Sequence, residues 1–208
     1  SGSVAILAQG YARAAVSAKS SPLLVAIERA FAATACMASR LRASAWALLC
    51  LQPLAVASLE YQELYYNQPV DHFNPTSHKR WQHRYLLNNE SWDGHGAREG
   101  GCRGPVLLYT GNEGNVEVFW EFNGLMKETL APFLGALLVF PEQRFYGKSL
   151  PFGENSQRPE NLAYLTTSQV LEDYAELIYH LKATLPGAAN CPVVAFGGSY
   201  GGTLAALL

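Results

Sequence analysis

Three features of the sequence predict an α/β fold with a mostly parallel sheet. Short apolar runs occupy residues 106–109, 136–140 and 193–196 without interruption, which is typical of parallel strands that helices cover on both faces. Segments with helical periodicity lie between these runs. The last run leads directly into a glycine-rich turn and a further helical segment, at residues 197–208. The resulting order of strand, helix, strand, helix and strand is that of a doubly wound domain.

The sequence predicts two helical segments between these strands, and the signals for the second are clearer. The first extends from about residue 116 to residue 130. The second can be capped by Thr166, with Gln169 three residues later as in a capping box, and Pro186-Gly187 ends it. Its apolar positions form one stripe, which consists of Val170, Tyr174, Leu177, Ile178, Leu181 and Leu185. Upstream, the aromatic-rich segments 61–70 and 81–87 predict an antiparallel pair of strands.

The composition excludes two classes of protein. Of the 208 residues, 49% are hydrophobic, which is too many for a disordered chain. The formal net charge of −2 has the wrong sign for a basic nucleic-acid-binding surface, so we expect no nucleic-acid partner. Only 15% of the residues are charged, against about 25% in typical domains, which indicates an apolar segment or a heavily buried core.

The apolar segment is found near the N-terminus. Met37 is followed by Arg40 and Arg42, then by an apolar stretch, and then by the A-x-A sequence at residues 55–57. These are the three parts of a secretory signal peptide, which we predict over residues 37–57. A membrane anchor is the alternative, but it needs about 20 apolar residues in a row, and a Gln-Pro pair interrupts this stretch.

These assignments define the domain organisation that we expect. Residues 1–36 are an upstream extension, either a transit-like leader or mistranslated sequence, and we exclude residues 1–57 from the fold. Residues 58–208 are the N-terminal part of a catalytic domain that enters the secretory pathway. Asn89 begins the sequon N-E-S, so we expect a glycan there.

The chemistry is concentrated in the sequence GGSYGG at residues 197–202. It contains G-x-S-x-G between an apolar strand and a helix, which is the context of the nucleophile elbow of α/β-hydrolases. Gly197 and Gly201 are the elbow glycines, because a Cβ on either side of the serine would collide with the adjoining strand and helix. The alternative, a flexible Gly/Ser turn, does not account for the flanking strand and helix. We therefore predict that Ser199 is the catalytic nucleophile.

A serine nucleophile that forms an acyl-enzyme also needs an oxyanion hole. One donor is expected to be the backbone N–H of Tyr200, the residue after the nucleophile. The other should come from the TGNEG loop at residues 110–114, and we choose the backbone N–H of Asn112, with Gly111 as the alternative. In the loop that follows the next strand, Glu142 and Arg144 fit a structural ion pair better than acid–base chemistry, because arginine is always charged.

The remainder of a catalytic triad is not found where the fold requires it. In α/β-hydrolases the acid and the histidine follow the serine, whereas all five histidines precede Ser199, at positions 72, 78, 83, 95 and 180. We therefore expect the chain to be truncated before the cap domain and before the Asp and His of the triad. We expect the chain by itself to be inactive.

The sequence resembles the lysosomal Pro-X carboxypeptidase and dipeptidyl peptidase II family of serine exopeptidases. The matching stretches are VDHFN at 70–74, RYL at 84–86, YTGNEG at 109–114, LVF at 138–140, RFYGKSLPFG at 144–153 and FGGSYGG at 196–202. Residues 175–188 are more similar to the Pro-X carboxypeptidase branch. The sequence departs from the family pattern at Pro141, Gln143 and Phe145, none of which touches the nucleophile.

The resemblance implies an α/β-hydrolase domain with a helical cap, a lysosomal or extracellular location and cleavage next to proline in peptide substrates. We expect no cofactor, no metal, no stable membrane anchor and a homodimer in the full-length protein. The alternatives are a secreted esterase or lipase of the same fold and a non-catalytic hydrolase-like binding protein. In the α/β-hydrolase fold the strands that follow Cys102 and Cys191 are parallel neighbours, so these two cysteines can form a disulfide if their Cα atoms lie within about 7 Å.

Overall fold

The computed structural model describes residues 59–92 and 102–208, together with the backbone of residues 4–9. In this part of the chain one six-stranded sheet is formed, in the order β1-β6-β4-β5-β3-β2. Strands β1, β6, β4 and β5 are parallel to one another, and β3 and β2 run antiparallel at one edge. The strands are β1 (Val4–Gln9), β2 (Gln62–Pro69), β3 (Arg80–Asn88), β4 (Val106–Tyr109), β5 (Leu137–Pro141) and β6 (Val193–Gly198).

The predicted parallel strands are confirmed. The three apolar runs form β4, β5 and β6, and adjacent residues on each strand are buried against opposite faces of the sheet. Leu107 and Leu138 pack in one cluster with Trp120 and Leu130, whereas Leu108 and Val139 pack in the other with Leu177 and Leu181. The sheet is therefore covered on both faces, which is why its strands are continuously apolar.

Helices connect the strands at the expected places. They are α1 (Val116–Glu121), a π-helical segment (Leu125–Leu130), α2 (Ala131–Leu134), a 3₁₀ turn (Gly153–Asn155), α3 (Pro159–Leu162), α4 (Thr167–Thr184) and α5 (Ser199–Leu207). The Thr166 cap of α4 is confirmed, because its hydroxyl accepts a hydrogen bond from the N–H of Gln169 at 3.3 Å. The antiparallel pairing of β2 with β3 is confirmed as well.

The helix predicted between β4 and β5 is interrupted. Helix α1 ends at Glu121, and the chain continues as the π-helical segment and α2. At the break, the side-chain amide of Asn123 donates to the carbonyl of Phe119, and Gly124 follows. Asparagine competes for backbone groups in this way and glycine is a poor helix former, so the interruption has a local cause.

The expectation that residues 1–57 lie outside the fold was wrong for one segment, because the backbone of Val4–Gln9 forms β1 beside β6. The edge of a parallel sheet presents unpaired N–H and C=O groups, which an extended segment can satisfy. The predicted signal peptide at 37–57 lies outside the described residues. No helix in the described ranges has the length and hydropathy needed to cross a membrane.

Candidate active site

Ser199 lies at the point where β6 ends and α5 begins. Strand β6 extends to Gly198, and Ser199 is the first residue of the helix, with an exposed side chain. Its φ angle is 52°, a left-handed conformation that costs a residue with a Cβ roughly 1–2 kcal/mol. The surroundings therefore hold the serine in a strained turn, with its hydroxyl at a helix N-terminus where free N–H groups favour negative charge.

The two predicted elbow glycines lie where a side chain has no room. A Cβ at Gly197 would meet the carbonyl of Gly201, and it would lie 2.6 Å from the Thr110 hydroxyl. A Cβ at Gly201 would meet the Thr110 carbonyl and the side chain of Asn112. Gly198 is different, because the nearest atom to an added Cβ is 3.8 Å away. The close packing of the elbow thus depends on the first and last glycines of the motif.

The structure brings the TGNEG loop against the elbow. The hydroxyl of Thr110 lies 2.6 Å from the Gly201 carbonyl and 2.9 Å from the Phe196 carbonyl, so its one proton bridges the strand and the helix. The side-chain amide of Asn112 donates to the carbonyl of Gly198 at 2.8 Å. Asn112 is therefore held next to the residue that precedes Ser199. The sequence did not indicate this side-chain contact.

The two predicted oxyanion donors are the N–H groups of Asn112 and Tyr200. Within residues 59–92 and 102–208, no protein group accepts a hydrogen bond from the N–H of Asn112. The N–H of Tyr200 is in the first turn of α5, where a helix offers no acceptor of its own. The hydroxyl of Tyr200 makes a hydrogen bond with that of Thr167 at 2.9 Å, which ties the elbow to the start of α4.

Helix α4 contacts the loop as well. The hydroxyl of Tyr174 donates to the carbonyl of Gly111 at 3.1 Å, and the Tyr174 side chain is fully buried. The sequence placed Tyr174 only in the apolar stripe of the helix. Burial was predictable from that stripe, but the polar partner of the hydroxyl was not.

Glu142 and Arg144 do not pair with each other. Arg144 forms a bidentate ion pair with Asp173 of α4, with N–O distances of 2.6 and 2.8 Å. Glu142 instead lies 3.2 Å from the guanidinium of Arg84 on β3. All four side chains are buried. Each of the two residues forms a structural ion pair, as expected. The prediction that they pair with each other was wrong.

The Arg144–Asp173 pair anchors α4 to the loop after β5 and to the connection between β2 and β3. Arg144 also donates to the carbonyls of Val70 and Tyr164, at 2.9 and 3.0 Å, and Nε2 of His72 lies 2.8 Å from the Asp173 carboxylate. Burial alone would raise the pKa of Asp173, but hydrogen bonds from Arg144 and His72 outweigh it and lower the pKa. These contacts therefore hold α4, the helix that carries Thr167 and Tyr174, in place.

Three of the four histidines that the structure describes have partners other than Ser199, and the fourth, His78, is exposed and lines a separate surface cavity. His72 contacts Asp173, His83 is buried between Gln68 and the carbonyl of Glu142, and His180 stacks on Tyr66. In the described part of the chain, the Ser199 hydroxyl makes no hydrogen bond to a histidine. His95 lies outside the described residues. A surface cavity of about 390 Å³ is lined by Glu176 and by nine residues between Pro69 and Arg80, and Ser199 does not line it.

Comparison with known proteins identifies the family. Residues 68–208, more than half of the chain, match the family of serine carboxypeptidases S28. The chain belongs to this family. This S28 chain is 47% identical over 154 residues to the lysosomal Pro-X carboxypeptidase of Homo sapiens, and that match covers 74% of the chain and 29% of the relative.

More distant relatives show the same pattern. The prolyl carboxy peptidase like protein 5 of Caenorhabditis elegans is 41% identical over 154 residues, covering 73% of the chain and 29% of that protein. The thymus-specific serine protease of Mus musculus is 34% identical over 138 residues, covering 66% and 25%. The S28 chain spans less than a third of the length of the curated relatives it matches.

The three positions at which a departure from the family pattern was expected, Pro141, Gln143 and Phe145, are all buried. Phe145 is buried and has a φ angle of 72°, and Gln143 is also buried. Both are in the loop after β5, and Phe145 donates its N–H to the carbonyl of Ser149 at 2.7 Å.

Cys102 and Cys191 are joined in the structure, with Cα atoms 4.8 Å apart. Each cysteine precedes one of the neighbouring parallel strands β4 and β6, and both side chains are buried. We predict that non-reducing digestion of the secreted protein yields one peptide pair linked through these residues. Replacing both with serine should lower the free energy of unfolding by about 2–5 kcal/mol. Free thiols at both positions in non-reduced protein would contradict this prediction.

Proposed function

We propose that the full-length protein is a serine exopeptidase of the α/β-hydrolase fold that cleaves peptide bonds next to proline through an acyl-enzyme on Ser199. One observation carries the proposal: Ser199 is held in a left-handed turn at the start of α5, and Asn112 is hydrogen-bonded to the residue before it. The TGNEG loop thus lies against the elbow, and we propose that the N–H groups of Tyr200 and Asn112 face the acyl carbonyl of a substrate bound at Ser199.

The proposed chemistry follows from these groups. The Ser199 oxygen attacks the carbonyl carbon of the scissile peptide bond and gives up its proton to a base. The carbonyl oxygen becomes an oxyanion, which accepts hydrogen bonds from the N–H groups of Tyr200 and Asn112. The C–N bond then breaks, the amine leaves with a proton from the protonated base, and water hydrolyses the acyl-enzyme ester.

The base must come from outside the residues described above. An unassisted serine hydroxyl is a weak nucleophile at neutral pH. Of the described histidines, His72, His83 and His180 contact other partners, and His78 lines a cavity that does not include Ser199. We propose that the Asp and His of the triad belong to the part of the full-length protein that corresponds to the remainder of the relatives' length. On this proposal the chain alone is inactive.

The preference for proline is proposed from the names of the relatives. They include lysosomal Pro-X carboxypeptidases of three mammals with 44–47% identity. A proline ring has no N–H and a fixed φ, so a slot shaped for it excludes most other residues. We propose release of a C-terminal residue after proline as the main activity, with dipeptidyl peptidase activity as the second candidate.

The proposed route and location of the protein agree with this activity. A signal peptide at residues 37–57 would deliver the protein to the secretory pathway, and the names of the relatives favour the lysosome as its destination. Asn89 is exposed at the end of β3, as a glycan acceptor must be. A homodimer of the full-length protein remains part of the proposal.

The test compares matched substrates with the purified full-length protein. An N-terminally blocked peptide that ends in Pro-Phe should be hydrolysed at least about tenfold faster, in kcat/KM, than the same peptide with alanine in place of proline. A free X-Pro dipeptide amide tests the dipeptidyl alternative, and a p-nitrophenyl ester tests the esterase alternative. Equal rates with proline and alanine, or turnover of the ester alone, would refute the proposed specificity.

A further inference from the structure

Tyr174 offers an inference that rests on the proposed function and extends it. This tyrosine lies on α4, not in the elbow or the TGNEG loop, yet its hydroxyl donates to the carbonyl oxygen of Gly111 at 3.1 Å. The side chain is fully buried. A buried hydroxyl needs a partner, and here the partner is a backbone group next to the proposed oxyanion hole.

The carbonyl of Gly111 and the N–H of Asn112 belong to the same peptide group. A trans peptide group is planar, so its C=O and N–H point in opposite directions. Fixing the oxygen with Tyr174 therefore fixes the direction of the Asn112 N–H, which is the proposed second oxyanion donor. A hydrogen bond to the carbonyl also polarises the peptide group and makes its N–H a stronger donor.

The residues of this peptide group are closely packed on two sides. A Cβ at Gly111 would lie 2.6 Å from the carbonyl oxygen of Pro141 and 3.4 Å from the Tyr174 hydroxyl. On the other side, the Asn112 side chain is bonded to the carbonyl of Gly198. The loop is thus held between the end of β5, the helix α4 and the elbow.

Tyr174 is itself well placed to hold the loop. The residue before it, Asp173, forms the buried bidentate pair with Arg144, so the backbone of α4 is fixed at this turn. Burial raises the pKa of Tyr174 well above its ordinary value, so the phenol stays protonated and remains a donor.

We propose that Tyr174 is a positioning residue for acyl transfer, which orients the Gly111–Asn112 peptide group so that the Asn112 N–H meets the developing oxyanion. It acts through the backbone and does not touch the substrate. Its contribution should therefore appear in the transition state and not in the binding of the ground state.

The test replaces Tyr174 with phenylalanine in the full-length enzyme, using the substrate that the enzyme hydrolyses best. We expect kcat to fall by about tenfold with KM within twofold of the wild-type value, since loss of an entire oxyanion donor costs about 10²–10³. Active-site titration with a fluorophosphonate corrects kcat for the folded fraction. Tyr85→Phe is the matched control, because Tyr85 is buried in the core at β3, and it should keep kcat within twofold.

A second readout separates positioning from a merely structural role. A peptide boronic acid forms a tetrahedral adduct with the serine, and its affinity should fall about tenfold in Tyr174→Phe, in parallel with kcat. The affinity of a reaction product should stay unchanged. Equal affinity for the boronic acid in both proteins, or a parallel loss of product affinity, would overturn the proposal.

A graded series keeps the test valid if Tyr174→Phe does not fold. 3-Fluorotyrosine at position 174 retains the hydroxyl and should keep kcat within twofold, whereas 4-aminophenylalanine offers a weaker donor and should lower kcat. The same kcat with both residues would refute the inference. Failure of the proposed function is distinguishable, because the wild-type protein would then lack peptidase activity or Ser199→Ala would keep it. Failure of this inference alone leaves the wild-type protein active, Ser199→Ala inactive and Tyr174→Phe fully active.

Discussion

Replacing Ser199 with alanine in the full-length protein is expected to lower kcat by about 10⁴–10⁶, the range seen when the nucleophile of a serine hydrolase is removed. Alanine has no hydroxyl to form the acyl-enzyme, and the remaining oxyanion donors account only for the residual rate. The fold should be retained, because serine and alanine both carry a Cβ at the left-handed φ of 52°. The measurements are kcat with the preferred peptide and the midpoint of urea denaturation.

The matched control is Ser168→Ala, which removes an exposed hydroxyl from the first turn of α4. It should leave kcat within twofold of the wild-type value. Undiminished turnover by Ser199→Ala would show that another group is the nucleophile. If Ser168→Ala lost as much kcat as Ser199→Ala, the loss would instead indicate damage to the fold.

The second large effect is expected at Asp173. In Asp173→Ala the guanidinium of Arg144 stays buried without its carboxylate, and His72 loses its partner too. Breaking a buried ion pair from one side typically costs about 3–5 kcal/mol, and we expect a loss of that size in the free energy of unfolding. Urea denaturation of the full-length protein and of the variant at neutral pH measures it.

The control for Asp173 is an ion pair at the surface. Lys148 and Glu63 are 2.9 Å apart, but the lysine side chain is 55% exposed and the glutamate side chain 30%. Lys148→Met should therefore cost less than about 1 kcal/mol. If Asp173→Ala were as mild as this control, the Arg144–Asp173 pair would not be fixing α4.

The stability provided by Asp173 should also depend on pH. Its pKa is lowered in the folded protein, so the contribution is complete above the unfolded pKa of about 3.9 and is lost as the pH falls through the folded value. The stability difference between wild-type protein and Asp173→Asn should thus be constant from neutral pH down to about pH 5 and shrink below about pH 4. A difference that shrinks already between pH 7 and pH 5 would show that Asp173 is not the titrating group.

Local signals allowed much of this structure to be predicted. The strands β4, β5 and β6 follow from continuous apolar runs, and α4 follows from its 3.6-residue stripe and from the spacing of Thr166 and Gln169. The elbow was predictable for a similar reason. Its strand, turn and helix occupy one continuous segment around Ser199. The residues that carry the sequence motif are therefore the same residues that form the turn.

Contacts between distant residues could not be predicted in this way. Arg144 is two residues from Glu142 in sequence but pairs with Asp173 on α4, and Glu142 pairs with Arg84 on β3. Nothing in the local pattern distinguishes these partners, because each choice depends on which elements the sheet brings together. The hydroxyl of Tyr174 is a further case: the apolar stripe predicts that the ring is buried, but the carbonyl of Gly111 that it meets is 63 residues away.

The nucleophilic role of Ser199 is the central claim, and covalent labelling tests it most directly. The full-length protein is treated with a fluorophosphonate, which reacts with activated serines, and the modified peptide is identified by mass spectrometry. We predict a single adduct on Ser199 that appears in step with the loss of peptidase activity and is absent from Ser199→Ala. An adduct on a different serine, or loss of activity without any adduct on Ser199, would contradict the account.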